Sequence, residues 1–296
     1  MSDLPQLVLN GLMTGSILAI GAVGVTLVLG VLRLLHVAHG DTMAFGAYAG
    51  LFFTGLVGDN LAVGLVGAVV TSAALAVLVE YVLWRPLRRR RAGMVGLLLS
   101  SIGVALVLRH VLFWVAGADP KQYPVDLMRV YEVGPFRLAQ SQVLALPVAV
   151  VSILFVGWLF SRTAIGKQMR ALSDDGALAA VAGIDVNRTI VVIWILSGAL
   201  AGLAGVLQGL VQNSFNPNLG FQLLLPVFAA VILGGIGSAY GALAGGLVLG
   251  LVMEVSTWQG FLGGVPASYK QVVAFAVLIL MLLLRPQGLL GKARLR

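Results

Sequence analysis

The sequence predicts an all-α polytopic membrane protein, and three observations lead to this fold class. Of its 296 residues, 59% are hydrophobic and only 10% are charged, whereas soluble domains are about one quarter charged. The mean hydropathy is +1.02. Apolar residues form long continuous runs, not the alternating pattern of a β-barrel. We therefore expect one membrane domain, residues 1–296, built from helices that cross the bilayer.

About nine apolar runs come close to the roughly 20 residues that a helix needs to cross the hydrocarbon. The count ranges from eight to ten, because 220–257 holds two short runs divided by glycines. These glycines also predict broken helices. The nine runs are 6–32, 41–57, 61–84, 94–116, 141–160, 189–211, 220–236, 240–257 and 268–284.

Basic residues concentrate in three segments and predict the orientation. Segment 85–91 reads "RPLRRRR", and segment 161–188 and the tail from Arg285 are also basic. Basic loops stay on the cytoplasmic side and contact lipid headgroups. Alternation of nine spans then puts 117–140 outside, the N-terminus outside and the C-terminus in the cytoplasm. The net charge of +8 lies in these loops, so we expect no nucleic-acid partner.

The motifs of the common enzyme classes do not occur in this sequence. It has no G-x-x-x-x-G-K-[ST] for ATP, no H-E-x-x-H and no metal-ligand spacing. A nucleophile elbow and a dinucleotide fingerprint are also missing from it. We therefore expect no catalytic residue, no metal and no cofactor in this chain.

Glycines four residues apart predict close helix packing. Each such pair makes a flat strip that another helix can approach. In the densest segment, 232–246, Gly234, Gly235 and Gly237 are expected to interrupt a membrane helix. The strips are Gly11/Gly15, Gly46/Gly50, Gly198/Gly202, Gly205/Gly209, Gly237/Gly241/Gly245 and Gly246/Gly250.

Few ionisable residues fall inside the predicted spans. They include Glu80, Arg109, His110 and Glu254, each toward the end of a span. An intramembrane charge is functional by default, yet one near a span end can also reach the headgroups. A proton-driven carrier needs a chain of such groups across the midplane, and this sequence has none.

The stretch "HVAHGD", 36–41, allows three interpretations: a metal site, a proton relay or a helix break beside a solute path. The helix break is favoured, because a metal needs more ligands and a relay needs acidic partners at depth. In this interpretation Gly40 unwinds the backbone and Asp41 caps the helix that follows. An Asn at position 41 would then cost little, since Asn caps equally well. The predicted pathway or break residues are His39, Gly40, Asp41, Gly234, Gly235, Gly237 and Glu254.

Four ordered motifs carry a family likeness. They are "HVAHGD" with "GAY" (46–48), "TAIGKQMRALSDDGALAAVAGIDVNR" (163–188), "VILGGIGSAYGALAGGLVLGLVMEV" (231–255) and "YKQVVAFAVLILMLLLRPQGLLG" (269–291). In this the chain resembles the LivH-type membrane permeases of branched-chain amino acid ABC importers, over nearly its whole length. The chain departs from the family pattern in two places: Gln271 replaces an acid, and His36-Val37 replaces Asn-Phe.

The resemblance implies the ABC importer permease fold and a set of partners. These are a second homologous permease, two ATP-binding subunits that hold ATP and Mg, and an extracytoplasmic substrate-binding protein, at the bacterial inner membrane. The chain would form half of the pathway for branched-chain amino acids. Urea or a short amide is the alternative solute, and a passive channel or an ion-coupled carrier is the alternative class.

The resemblance also implies that the cytoplasmic loop 161–188 couples transport to ATP hydrolysis. Asp174 or Asp175 can cap a short helix that stops at Gly183. Without the resemblance, an ordinary surface helix is the alternative. The predicted coupling residues are Asp174, Asp175, Ala179, Ala180, Gly183 and Ile184.

Overall fold

The computed structural model describes residues 3–124, 129–134, 136–260, 264–285 and 287–290. These are mostly helical. The helices are α1 (Asp3–Leu32), α2 (Ala38–Leu56), α3 (Leu61–Val79, continued by a π-helical turn Glu80–Trp84), α4 (Arg85–Arg89), α5 (Met94–Ala116), α6 (Gln140–Arg162), α7 (Ala164–Asp174), α8 (Gly176–Val181), α9 (Val186–Gln212), α10 (Leu219–Gly234), α11 (Ala239–Val255) and α12 (Lys270–Leu284, preceded by a 3₁₀ turn Ala267–Tyr269).

Within the described ranges, six helices are long and apolar enough to cross a membrane, and the bent pair α10–α11 raises this to seven if it counts as one span. Six of the nine predicted spans fall on these six helices. Predicted spans 220–236 and 240–257 form the bent pair, and 41–57 falls on α2, which is not among the six. The first turn of α2 carries the polar residues His39 and Asp41. The count of nine is therefore not confirmed.

Helices α1 and α9 form the centre of the molecule. Most of their residues are buried, whereas α3, α5, α6 and α12 expose apolar side chains along much of their length. Exposed apolar faces suit hydrocarbon. The core is thus built from two long helices that glycine-rich neighbours approach closely.

Most of the glycine strips become helix contacts, as the spacing predicts, whereas Gly237 lies in the turn between α10 and α11. Gly11 and Gly15 on α1 face Gly250 and Leu247 on α11. A Cβ atom on Gly15 would lie 2.8 Å from the Cα atom of Leu247, closer than any side chain allows. Only glycine permits this approach, so the strip sets the distance between α1 and α11.

The segments between helices gather at two ends of the bundle. At one end Gln6 of α1 donates a hydrogen bond to the Arg137 carbonyl oxygen, 3.0 Å away, and Lys121 pairs with Phe215. This end also holds an antiparallel hairpin, β1 (Val130–Val133) with β2 (Phe136–Ala139), which the all-α prediction did not include. Its two short strands lie in the predicted loop 117–140.

At the other end the last turn of α1 meets two segments, and a third segment joins this end through α10. The Ser173 hydroxyl of α7 donates to the Gly30 carbonyl oxygen at 3.0 Å. The turn between α10 and α11 lies against Gly30 through Gly237. The Leu289 amide, beyond α12, donates to the Leu233 carbonyl oxygen at 2.8 Å. Segment 161–188, the α10–α11 turn and the C-terminal segment therefore share one end.

Candidate functional site

The break between α1 and α2 lies earlier in the chain than the sequence predicts. Helix α1 ends at Leu32, Arg33 takes a left-handed conformation with φ 51°, and α2 begins at Ala38. Gly40 and Asp41 lie inside the first turn of α2. The prediction that Gly40 unwinds the backbone is therefore wrong, because the chain leaves the helix at Arg33 instead.

The prediction that Asp41 caps α2 is also wrong. The residue before the helix is Val37, with no side-chain cap. The Ala38 amide instead donates a hydrogen bond to a side chain of another helix, the Ser101 hydroxyl of α5, 3.2 Å away. Because Ser101 accepts the hydrogen bond of this first-turn amide, the carboxylate of Asp41 is available to a different partner.

That partner is Arg109 of α5. Arg109 Nε lies 2.8 Å from Asp41 Oδ1, and Nη2 lies 3.1 Å from Oδ2. This two-point geometry is the strong form of the carboxylate–guanidinium pair. The Asp41 side chain is 0% exposed and that of Arg109 is 16% exposed. In the sequence, Arg109 stands out only as a charge near a span end. The signal for its pairing with Asp41 is the need of a buried carboxylate for an opposite charge.

Helix α10 closes the other side of this pair. The Arg109 guanidinium lies over the Phe221 ring, 4.7 Å from its centroid, a cation–π arrangement. Gly40 packs against Gly220 backbone to backbone, and a Cβ on Gly40 would lie 3.0 Å from Leu224 Cβ. The start of α2 therefore packs against both α5 and α10. Its Asp41 side chain pairs with Arg109 of α5, which in turn lies against α10.

The two histidines of "HVAHGD" go to a different environment. His36 lies edge-on to the indoles of Trp84 and Trp194, at centroid distances of 6.0 and 5.0 Å. His39 is 5.8 Å from His36 and lies against Gly24 of α1. Both rings are buried. The motif thus divides between an aromatic cluster and an ion pair.

The break between α10 and α11 falls where the glycines predict it. Helix α10 ends at Gly234, and the two axes differ by 120°. Gly235 and Gly237 have φ values of 106° and 87°, a region open chiefly to glycine. The Ser238 hydroxyl then caps α11 by accepting from the Gly241 amide at 3.0 Å. The break is confirmed; its part in a pathway stays a prediction.

Glu254 joins three helices at the opposite end of α11. Its carboxylate lies 2.6 Å from Lys270 Nζ of α12 and accepts from the Thr14 hydroxyl of α1 at 3.3 Å. The side chain is largely buried. The described contacts give Glu254 a packing role, and its predicted place in a pathway stays a prediction.

Segment 161–188 folds into α7 and α8, and Asp175 supplies the predicted cap. Its carboxylate accepts from the Ala177 and Leu178 amides at 2.9 and 3.0 Å, while Asp174 is the last residue of α7. Helix α8 stops as predicted at Gly183, whose φ is 86°. The Ile184 amide donates back to the Ala179 carbonyl oxygen at 3.0 Å, a glycine-dependent C-terminal cap.

The exposed face of α8 differs from the predicted one. Ala179 is buried in this chain, so the prediction that its side chain contacts a partner is wrong. A helix this short must turn one face inward to pack. Ala180 and Gly183 are exposed. Leu178 and Val181, not named from the sequence, are 66% and 87% exposed. Two large exposed apolar side chains on one short helix indicate a contact surface.

Comparison with known proteins agrees with the motifs. The family model for the branched-chain amino acid transport system permease component matches residues 7–282. The high-affinity branched-chain amino acid transport system permease protein LivH of Escherichia coli K12 is 32% identical, over 97% of this chain and 95% of that protein. The permease protein BraD of the corresponding system of Pseudomonas aeruginosa is 31% identical, with the same coverage.

The fold has a relative among solved structures. A chain of PsaBC from Streptococcus pneumoniae, solved with a Fab, superposes with a TM-score of 0.50 at 16% identity, over 96% of this chain and 92% of that chain. This likeness concerns the fold alone. The family model and the two sequence relatives decide the assignment: the chain belongs to the family of permease components of branched-chain amino acid transport systems.

Proposed function

We propose that this chain forms half of the translocation pathway of an ATP-driven importer for branched-chain amino acids. The match to LivH and BraD over 97% of the chain carries the proposal. A second homologous permease supplies the other half, and an extracytoplasmic binding protein delivers the solute. Two ATP-binding subunits hold ATP and Mg, since this sequence has no P-loop of its own.

The α7–α8 segment is proposed as the contact for an ATP-binding subunit. Its support is the exposed pair Leu178 and Val181, together with the hydrogen bond from Ser173 to Gly30. A partner that moves α8 would pull on the end of α1 through this bond. The same end holds the α10–α11 turn, so one displacement would reach two breaks in the membrane helices.

We propose that this end lies in the cytoplasm and the β1–β2 hairpin outside. The positive-inside rule supports it, because Arg162, Lys167, Arg170 and Arg188 belong to or border the α7–α8 segment. The N-terminus is then outside and the C-terminus inside, in the bacterial inner membrane. Nine crossings follow if α2, α10 and α11 each traverse the membrane.

Gentle purification of the tagged chain, followed by mass spectrometry and uptake assays in vesicles, tests the proposal. We expect recovery of a second permease and ATP-binding subunits, and ATP-dependent uptake of leucine. Uptake of urea or a short amide in place of leucine would make those the solutes. A homo-oligomer that transports without ATP would overturn the importer in favour of a channel or carrier.

A further inference from the structure

The Asp41–Arg109 pair has the features of a binding site more than those of a structural tie. It lies where the start of α2 meets α5 and α10, and α2 follows an irregular segment. A buried ion pair adds little to stability compared with apolar packing, because both ions lose their water. Intramembrane ionisable residues are usually functional for this reason.

The Arg109 side of the pair is partly accessible, whereas the Asp41 side is fully buried. The Arg109 side chain is 16% exposed, and Arg109 Nη1 makes neither of the two bonds to Asp41. Phe221 beside it on α10 is 52% exposed, Leu225 one helical turn further along α10 is 45% exposed, and Leu106 on α5 is 47% exposed. The accessible part of the Arg109 guanidinium is therefore flanked by exposed apolar side chains on both helices.

We propose that Asp41 and Arg109 bind the two charged ends of a zwitterionic aliphatic amino acid as it passes through the membrane domain. The solute carboxylate would accept from Arg109 in place of Asp41, and the solute ammonium would donate to Asp41. The exchange leaves the total charge of the site unchanged. The aliphatic side chain of the solute would lie against Phe221, Leu225 and Leu106.

This inference rests on the proposed import function and narrows its solute. A neutral solute such as urea gains nothing from a split ion pair, because it cannot replace either charge. An α-amino acid replaces both charges at once and so keeps each one paired while it is out of water.

Neutralising both residues separates binding from stability. The double variant Asp41→Asn, Arg109→Gln removes both charges, so it leaves no unpaired buried ion. We expect normal thermal stability of the assembled transporter and leucine uptake that falls about tenfold or more at saturating binding protein, since charge-assisted hydrogen bonds are lost. Glu80→Gln, Arg88→Gln is the matched control at another buried ion pair, and we expect it to keep its uptake. Uptake by the first double variant equal to that of the control would overturn the proposal.

Cysteine labelling decides the matter if the double variant does not fold. The chain has no cysteine, so Leu106→Cys and Val107→Cys each introduce a single thiol at nearly the same depth of α5. Val107 is 62% exposed but lies about 100° further around the helix. We expect a charged, water-soluble methanethiosulfonate to modify the thiol at 106, and leucine to slow that reaction several-fold. The proposal assigns position 107 to the lipid face, so the thiol there should not react. An unreactive thiol at 106, or a reaction that leucine leaves unchanged, would overturn the site.

The wild-type assay keeps the two proposals apart. If the wild-type transporter takes up no leucine, the proposed import function fails, whatever the variants do. If it takes up leucine and the variants behave like their controls, only the Asp41–Arg109 site fails.

Discussion

The hydroxyl of Ser173 donates a hydrogen bond to the carbonyl oxygen of Gly30, 3.0 Å away, and so joins α7 to the last turn of α1. Gly30 also touches Gly237, in the turn between α10 and α11. One short contact therefore lies between the segment proposed to bind an ATP-binding subunit and a break in the membrane helices.

Replacing Ser173 with alanine should loosen this connection. The lost hydrogen bond is worth about 1 kcal/mol, so we expect more ATP hydrolysed per leucine transported, with unchanged assembly. Ser161→Ala is the control, because the hydrogen bond described for the Ser161 hydroxyl is local, to the Trp158 carbonyl oxygen at 3.3 Å. Equal coupling ratios in the two variants would contradict a mechanical role for the Ser173–Gly30 bond.

Replacing Gly183 with valine should uncouple ATP hydrolysis from transport. Gly183 has a φ of 86°, which a β-branched residue adopts only at a cost of about 1–2 kcal/mol. The end of α8 would shift while the membrane core stays intact, because no residue that the structure describes lies within 4 Å of an added Cβ. The measurement is leucine uptake against ATP hydrolysis in vesicles. Gly93→Val serves as the control, because Gly93 has equally open space around it and a φ of −67°. Normal solute-stimulated ATP hydrolysis with normal uptake in Gly183→Val would rule out docking through this cap.

Replacing Gly46 with alanine should destabilise the protein. A Cβ at this position would run into the backbone of Gly202 on α9, and overpacking of this kind costs about 1–3 kcal/mol. Gly103→Ala on α5 adds the same methyl group into open space and should be neutral or slightly stabilising. Thermal unfolding of the purified protein compares the two variants. An unchanged midpoint for Gly46→Ala would show that α2 and α9 can separate freely.

Replacing Asp41 with asparagine should be costly, contrary to the expectation for a helix cap. The change leaves the guanidinium of Arg109 without its carboxylate in a largely buried site, at a cost of about 3 kcal/mol. Asp175→Asn makes the same substitution at a true cap and should cost only a few tenths of a kcal/mol. Thermal stability is the readout for both variants. Equal stability of the two would mean that Asp41 does no more than favour the first turn of α2.

Composition and motif order were enough to decide the class and the family. A chain with 10% charged residues cannot cover a soluble surface, and the spacing of glycines followed helix geometry closely enough to predict that another helix approaches Gly11 and Gly15, although only the structure identifies that helix as α11. The break at Gly235 and Gly237 and the end of α8 at Gly183 were predictable for a local reason. Positive φ values favour glycine because it has no Cβ atom, and this preference depends on the residue itself and not on its neighbours in the fold.

The partner of Asp41 was decided only by the tertiary structure. Asp41 and Arg109 lie 68 positions apart, and no local rule connects them. A carboxylate early in a helix has the local signature of a cap. Here, however, the Ser101 hydroxyl of α5 accepts the hydrogen bond of the Ala38 amide, and Asp41 pairs with Arg109. The buried face of α8 was equally non-local, because the packing of Ala179 depends on the neighbours that the fold brings to it. Helix breaks and caps follow from the conformational preferences of single residues, whereas the pairing of buried charges follows from which helices meet.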